Sequence, residues 1–172
     1  ELLVVGERLG GTAEDSRDFT YRAREELDMV FQFEHVTLDQ ASGDKFDLAP
    51  LPLPVLKGSL ARWQRVMAER GWNSLYWSNH DQPRVVSRFG DDDPAWRERS
   101  AKTLATVLHL HRGTPWIYQG EELGLPNVPF TEVGAFRDVE SLNYARPARE
   151  RGLSKQEILR RLRAKSRDNA RT

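Results

Sequence analysis

The chain has 172 residues, 38% of them hydrophobic and five of them Trp, which is enough for one soluble globular domain with a proper core. Its 26 basic and 26 acidic side chains cancel, so no bulk field draws it towards nucleic acid or an anionic membrane, and an uncharged partner is expected. The lack of cysteine excludes a disulfide framework and a thiolate metal site, no apolar run is long enough for a membrane helix, and a cytoplasmic setting is the resulting expectation. The sequence starts without Met, in what reads as mid-strand, and shows no signal peptide, so it reads as a fragment.

Strand-like runs recur at residues 2–7, 29–35, 74–81 and 114–122 with helical patterns between them, which predicts βα units and a parallel sheet. The first run, Leu2-Leu3-Val4-Val5, ends in Gly6-Glu7 and so places an acid at the C-terminal end of a strand. Residues 37–57 lack periodicity and carry Pro50, Pro52 and Pro54, so a long loop over the sheet is expected there. A helix is predicted over 59–70, where Leu60, Trp63 and Met67 fall at helical spacing and Gly71 provides a stop. The third run, Leu75-Tyr76-Trp77, leads into Ser78-Asn79-His80-Asp81-Gln82-Pro83-Arg84, and a His-Asp pair at such a strand end sits where parallel α/β sheets place their chemistry. Asp93 and Pro94 read as the N-cap and first residue of a helix whose Ala101, Leu104, Val107, Leu108 and His111 line one side up to Gly113. Ser154 with Glu157 matches a capping box, with Leu153 and Ile158 as its hydrophobic staple, so a further helix starts near residue 155.

Several motifs admit both a chemical and a structural reading. Glu7 at a strand end fits a general acid or an ordinary rim salt bridge. Asp81 is crowded by Asn79, His80, Gln82 and Arg84, a polar density unusual after a buried strand, although a turn rich in Asn, Asp and Pro also makes a plain loop. Two carboxylates on one rim suggest acid/base work on a small polar substrate. His109 and His111 stand two apart on a predicted helix and point to different faces, which argues against a shared metal ion. Lys and Arg outnumber acids between residues 146 and 171, but without interleaved aromatics a solvated helix face is the better reading than a nucleic-acid face. Glu121 and Glu122, in Gln119-Gly120-Glu121-Glu122, could line a pocket or brace the loop that follows, and bracing is favoured.

Five segments together resemble the α-glucosidase branch of the α-amylase superfamily, in particular the oligo-1,6-glucosidases. They are Val5-Gly6-Glu7, Phe31-Gln32-Phe33-Glu34-His35, Asn79-His80-Asp81-Gln82-Pro83-Arg84, the run from Gly113 to Glu122 (Gly113-Thr114-Pro115-Trp116-Ile117-Tyr118-Gln119-Gly120-Glu121-Glu122), and Ser166-Arg167-Asp168-Asn169-Ala170-Arg171-Thr172. The resemblance covers nearly the whole chain, and five matches in order are more specific than any one. It implies a (β/α)₈ barrel that hydrolyses α-glucosidic bonds with retention through a covalent glucosyl-enzyme. By similarity Glu7 is the general acid, Asp81 holds hydroxyls of the terminal glucose and favours its distorted ring, and His80 donates to a neighbouring hydroxyl. Arg167 resembles the basic residue closing the base of that pocket, Glu140 looks like a contact to the next sugar, and Gln82 is a further expected substrate contact.

The same resemblance places the nucleophilic Asp on the barrel strand before the acid's own, where this chain has not yet begun. The expectation is therefore an α/β fold comprising strands five to eight, the C-terminal half of a TIM barrel, inactive alone and prone to self-association through its open edges. No cofactor is expected and no metal ligand is assigned within this chain, and the partner is an oligosaccharide or disaccharide α-glucoside. Two other readings are a transglucosidase of sucrose isomerase or trehalose synthase type, and a non-catalytic barrel relative.

Overall fold

In the computed structural model, which describes residues 2–40 and 43–165, the four apolar runs pair as a parallel sheet in the order β1-β2-β3-β4. The strands are β1 (Val5–Arg8), β2 (Met29–Gln32), β3 (Asn73–Tyr76) and β4 (Thr114–Trp116). Parallel neighbours need a long crossover, and helices supply it each time. Between β1 and β2 lie α1 (Ala13–Phe19) and a 3₁₀ turn at Arg22–Arg24; α2 (Leu53–Met67) joins β2 to β3; α3 (Val85–Phe89) and α4 (Arg97–Leu110) precede β4. Spatial order that follows chain order, with no reversal at a switch point, is the winding of a barrel rather than of a doubly wound sheet.

The chain divides into two compact units: Glu1–Asp39 with Pro50–Trp77 and Ala105–Trp116, and Gln40–Ala49 with Ser78–Leu104 and Ile117–Thr172. The first contains the whole sheet. Its helices α1 and α2 meet through Ala13, Trp63 and Met67, all buried. The second is built on α5 (Val139–Glu150) and α6 (Lys155–Lys165), with Phe46, Phe136, Ala148, Ile158 and Leu162 as its core. The rings of Phe46 and Tyr144 stack at 4.1 Å there.

Register decides which side chains share a face of the sheet. Glu7 pairs with Phe31, Phe31 with Ser74, Ser74 with Thr114, and Tyr76 with Trp116, so these residues stand on one side. Gly6, Arg8, Val30, Gln32, Asn73 and Leu75 stand on the other. The helices of this unit pack on that second side: Arg8 bonds Asp15 at 3.1 Å and lies over the Phe19 ring, both on α1. Gly113 enters β4 at φ 152°, and a Cβ there would come within 2.6 Å of the Asn73 carbonyl, so glycine is needed for the close approach.

Several boundaries differ from those expected. The strands are shorter than the apolar runs: the ladder begins only at Val5↔Met29, and Leu2 and Leu3 are exposed. The fourth run ends at Trp116 because Gly120 turns at φ 92° into a 3₁₀ helix at Glu121–Leu123. The second helix begins at Leu53, inside the segment expected to be loop. Pro54 falls in its first turn, where a missing N–H leaves nothing unsatisfied. The helix expected from Asp93 starts at Arg97, with the Asp93 side chain accepting from the Ala95 N–H in the turn before it. The last helix starts at Lys155, capped by Ser154, as expected. Helix α1 carries a reciprocal Thr12/Asp15 capping box, and α5 is capped by Asp138; neither was expected.

The second unit's core depends on Leu162, which is fully buried. Leu162→Ala should destabilise the protein by about 2–5 kcal/mol, whereas Leu142→Ala, at a half-exposed position, should change stability by about 0.5 kcal/mol or less. Denaturant unfolding of both variants reads this directly, and equal effects would contradict the core assignment.

Candidate active site

Glu7 is the third of four residues in β1, one short of the strand end expected at it, and its side chain is exposed. Alternation turns it away from Arg8 and the helices, towards the face that carries Phe31, Tyr76 and Trp116. Those rings form a cluster, with Phe31 5.3 Å from both Tyr76 and Trp116, and Tyr76 donates its hydroxyl to the Gln32 carbonyl at 2.7 Å. The acid therefore stands beside an aromatic surface in the first unit.

At the end of β2, Gln32 forms a tight turn with Glu34 and His35. The Gln32 side chain meets His35 Nδ1 at 2.7 Å and accepts from the Glu34 N–H at 2.7 Å. Glu34 in turn accepts from Ser59 at 2.6 Å, from Trp63 Nε1 at 3.0 Å, and from Arg62. Burial acts to raise its carboxyl, but these three donors outweigh it and hold Glu34 below its ordinary range. Helix α2 is thereby fastened to the rim after β2.

Ser78 opens the second stretch of the second unit, and the segment it begins is braced along its length. Ser78 Oγ donates to Glu121, the Asp81 N–H donates to Asn79 Oδ1 at 2.8 Å, and the Arg84 N–H donates to Asn127 Oδ1 at 2.8 Å. Arg84 is buried, donates to the Gln119 carbonyl and lies over the Tyr118 ring. Gln82 Oε1 accepts from Arg88 Nη1 at 2.8 Å. Within this frame the His80 and Asp81 side chains stay open, 68% and 43% exposed, with His80 Nε2 3.6 Å from Asp81 Oδ2. A fixed backbone presenting exposed imidazole and carboxylate groups can grip a polyhydroxylated ligand.

Of the residues expected at a site, the structure brings His80, Asp81 and Gln82 together in one segment and puts Glu7 on β1. Glu140 lies in the first turn of α5 and forms an ion pair with Lys45. Arg167 lies outside the described residues. Glu121 and Glu122 brace, as favoured: Glu121 receives Ser78, and Glu122 accepts from the Gly120 N–H at 2.8 Å. His109 is exposed while His111 is half-buried and meets the Val107 carbonyl. Among the described residues no group of three or more His, Asp and Glu gathers to hold a metal ion, and no helix is long and apolar enough to cross a membrane.

Sequence reasoning missed Lys165 and Asn127. Lys165 was counted with a solvated basic face, yet it is 6% exposed. It shares a stripe with Ile158 and Leu162 at spacings of four and three, and that spacing was the available signal. Arg160 and Arg161 of α6 do reach acids, since both bond Glu157 and Arg161 also pairs with Asp47 at 3.1 Å.

A singly wound parallel sheet whose strand order follows chain order is a portion of a (β/α)₈ barrel. The chain belongs to the alpha-amylase catalytic-domain family, whose profile matches residues 1–172. An oligo-1,6-glucosidase of Halalkalibacterium halodurans is 53% identical over 172 residues, which are all of this chain and 30% of that protein. The trehalose-6-phosphate hydrolase structure of Bacillus licheniformis superposes with a TM-score of 0.93 at 49% identity, covering 99% of this chain and 31% of that one. A variant isomaltulose synthase of Erwinia rhapontici NX5 in complex with D-glucose gives 0.90 at 38% identity, again over 99% and 31%. The chain thus spans about a third of the length of the relatives it matches, and the fold is a partial barrel.

Burial raises the Glu121 carboxyl above its ordinary value of 4.5, against the opposing pull of Ser78 and Arg84. A carboxyl raised by folding favours the protonated native state. Its contribution is complete below the unfolded pKa and is lost as pH rises through the folded one. Glu121→Gln should remove that loss, so the stability of the variant relative to wild type should increase as pH rises from about 4.5 towards neutrality. Thermal unfolding across this range measures it; parallel curves for the two proteins would show that Glu121 does not titrate with folding.

Proposed function

We propose that the protein carrying this segment is a retaining α-glucosidase of oligo-1,6-glucosidase type, acting on the non-reducing-end glucose of an oligosaccharide or disaccharide. The observation that carries the reading is the placement of Glu7: an exposed acid within a parallel barrel strand, on the face away from the helices, in a chain 53% identical to an oligo-1,6-glucosidase. In this reading Glu7 gives its proton to the glycosidic oxygen as the bond to C1 breaks, while a carboxylate from outside these 172 residues attacks C1. Glu7 then takes a proton from water, whose oxygen displaces that carboxylate and releases glucose. Asp81 and His80 hold hydroxyls of the same ring, Arg167 closes the base of that pocket, Glu140 contacts the next sugar, and Gln82 is a further substrate contact. The absence of cysteine is in keeping with a cytoplasmic setting.

Retention requires two carboxyl groups about 5 to 5.5 Å apart, and by this assignment one of them is elsewhere. The 172-residue segment is therefore inactive by itself, and its edge strands β1 and β4 are the surfaces through which it would self-associate. Transfer of the glucosyl group to a sugar instead of water is a second reading, supported by the likeness to isomaltulose synthase.

Nitrophenol release from an aryl α-glucoside tests the assignment. The complete gene product should turn it over, Glu7→Gln should lower the rate by about 10²–10⁴-fold, and the segment alone should match a blank. Turnover by the segment that vanishes in Glu7→Gln would show that an acid within it attacks the sugar. No turnover by the complete gene product would overturn the α-glucosidase reading.

A further inference from the structure

Lys165, the last residue of α6, is 6% exposed, and its ammonium donates to the backbone carbonyl of Asp81 at 3.0 Å. An ammonium so far out of water is costly unless its partners compensate. A lysine at a helix C-terminus would complement the helix dipole equally well in solvent, so the dipole does not account for the burial. Met or Leu at this position would continue the stripe of Ile158 and Leu162 without desolvating a charge. What the lysine adds is a donor that reaches the one carbonyl belonging to Asp81.

A second tie runs from the same turn of α6. Asn127 donates through Nδ2 to the Arg163 carbonyl at 3.3 Å and accepts from the Arg84 N–H at 2.8 Å, while Arg163 Nε donates to the Phe130 carbonyl at 2.5 Å. The end of α6 thereby holds residues 81–84 at two points, through Lys165 directly and through Asn127. The Ser78 contact to Glu121 anchors the start of the segment. All these groups belong to the second unit.

We propose that Lys165 is a positioning residue for Asp81: by gripping the Asp81 carbonyl from the last turn of α6, it fixes the direction in which the carboxylate leaves the backbone. This role rests on the α-glucosidase reading for its kinetic consequence but not for its structural one. The backbone of Asp81 is bonded on both sides, at N–H by Asn79 and at C=O by Lys165, while its carboxylate stays 43% exposed. Lys165 does not touch substrate; it acts through Asp81.

The test compares Lys165→Met, Lys165→Arg and Asn127→Ala with wild type in the complete gene product, by hydrogen exchange over residues 78–84 and by kcat and KM on an aryl α-glucoside. Lys165→Met should speed exchange in that segment while leaving α1 and β2 unchanged. It should lower kcat by about ten-fold or more at unaltered KM, and Lys165→Arg, which keeps a charged donor, should recover part of both. Asn127→Ala should speed exchange towards residue 84 with a smaller effect on kcat. If Lys165→Met does not fold, Lys165→Leu, which likewise lacks a donor, carries the same comparison. Wild-type exchange over 78–84 in a folded Met or Leu variant would overturn the proposal. Faster exchange in a protein whose wild type turns over no α-glucoside would instead leave the grip standing and overturn the functional reading.

Discussion

The arrangement depends on the period of two in a parallel strand. Once helices α1 and α2 occupy one side of the sheet, every second side chain is committed to packing against them, and its neighbours are committed to the other side. Arg8 and Glu7 are adjacent in sequence and differ completely in consequence: the guanidinium is held by Phe19 and Asp15, while the carboxylate stands beside Phe31 on the opposite face. A slip of one residue in β1 would exchange them. The register Glu7↔Phe31 is thus the condition under which Glu7 faces away from α1, and Gly6, whose Cβ would meet Leu27 at 2.9 Å, helps to hold it.

The His-Asp segment solves a different problem. A strand fixes its residues through the ladder, whereas residues 78–84 lie outside any strand and must find partners individually. They find them in side chains and carbonyls distant in sequence: Glu121 for Ser78, Lys165 for Asp81, Asn127 and Gln119 for Arg84. The supporting groups are buried or half-buried, where a hydrogen bond is strengthened and an unpaired group would be costly, so each tie strongly disfavours alternative conformations of the segment. The side chains of His80 and Asp81 nonetheless stay 68% and 43% exposed.

How much of this was legible follows from the kind of physics involved. The sheet was readable because short apolar runs alternate with helical patterns along the chain, and Glu7 and Asp81 because they are acids at the ends of such runs. Boundaries were less readable. Nothing in Trp116-Ile117-Tyr118 announces that pairing stops, since the cause is the left-handed turn at Gly120, and a Pro-rich stretch looks like loop until Pro54 is seen to occupy a helix's first turn. The braces were hidden for a further reason. Asn127 and Lys165 are separated from Arg84 and Asp81 by 43 and 84 residues, and local composition carries no information at that range.

Charge makes the same point from the other side. Near-neutral composition and a basic run between residues 146 and 171 both suggest a lysine with nothing to do but remain hydrated. Helical spacing disagrees, because Ile158, Leu162 and Lys165 occupy one face, and the first two are core residues. When charge and periodicity conflict at one position, the periodic reading has the stronger physical basis: the side chain's direction is fixed by the backbone, whereas its hydration can be replaced by a suitable acceptor. The Asp81 carbonyl is that acceptor. A buried lysine on an apolar stripe is therefore a reason to look for the backbone it holds, and here that backbone carries the carboxylate on which the proposed site depends.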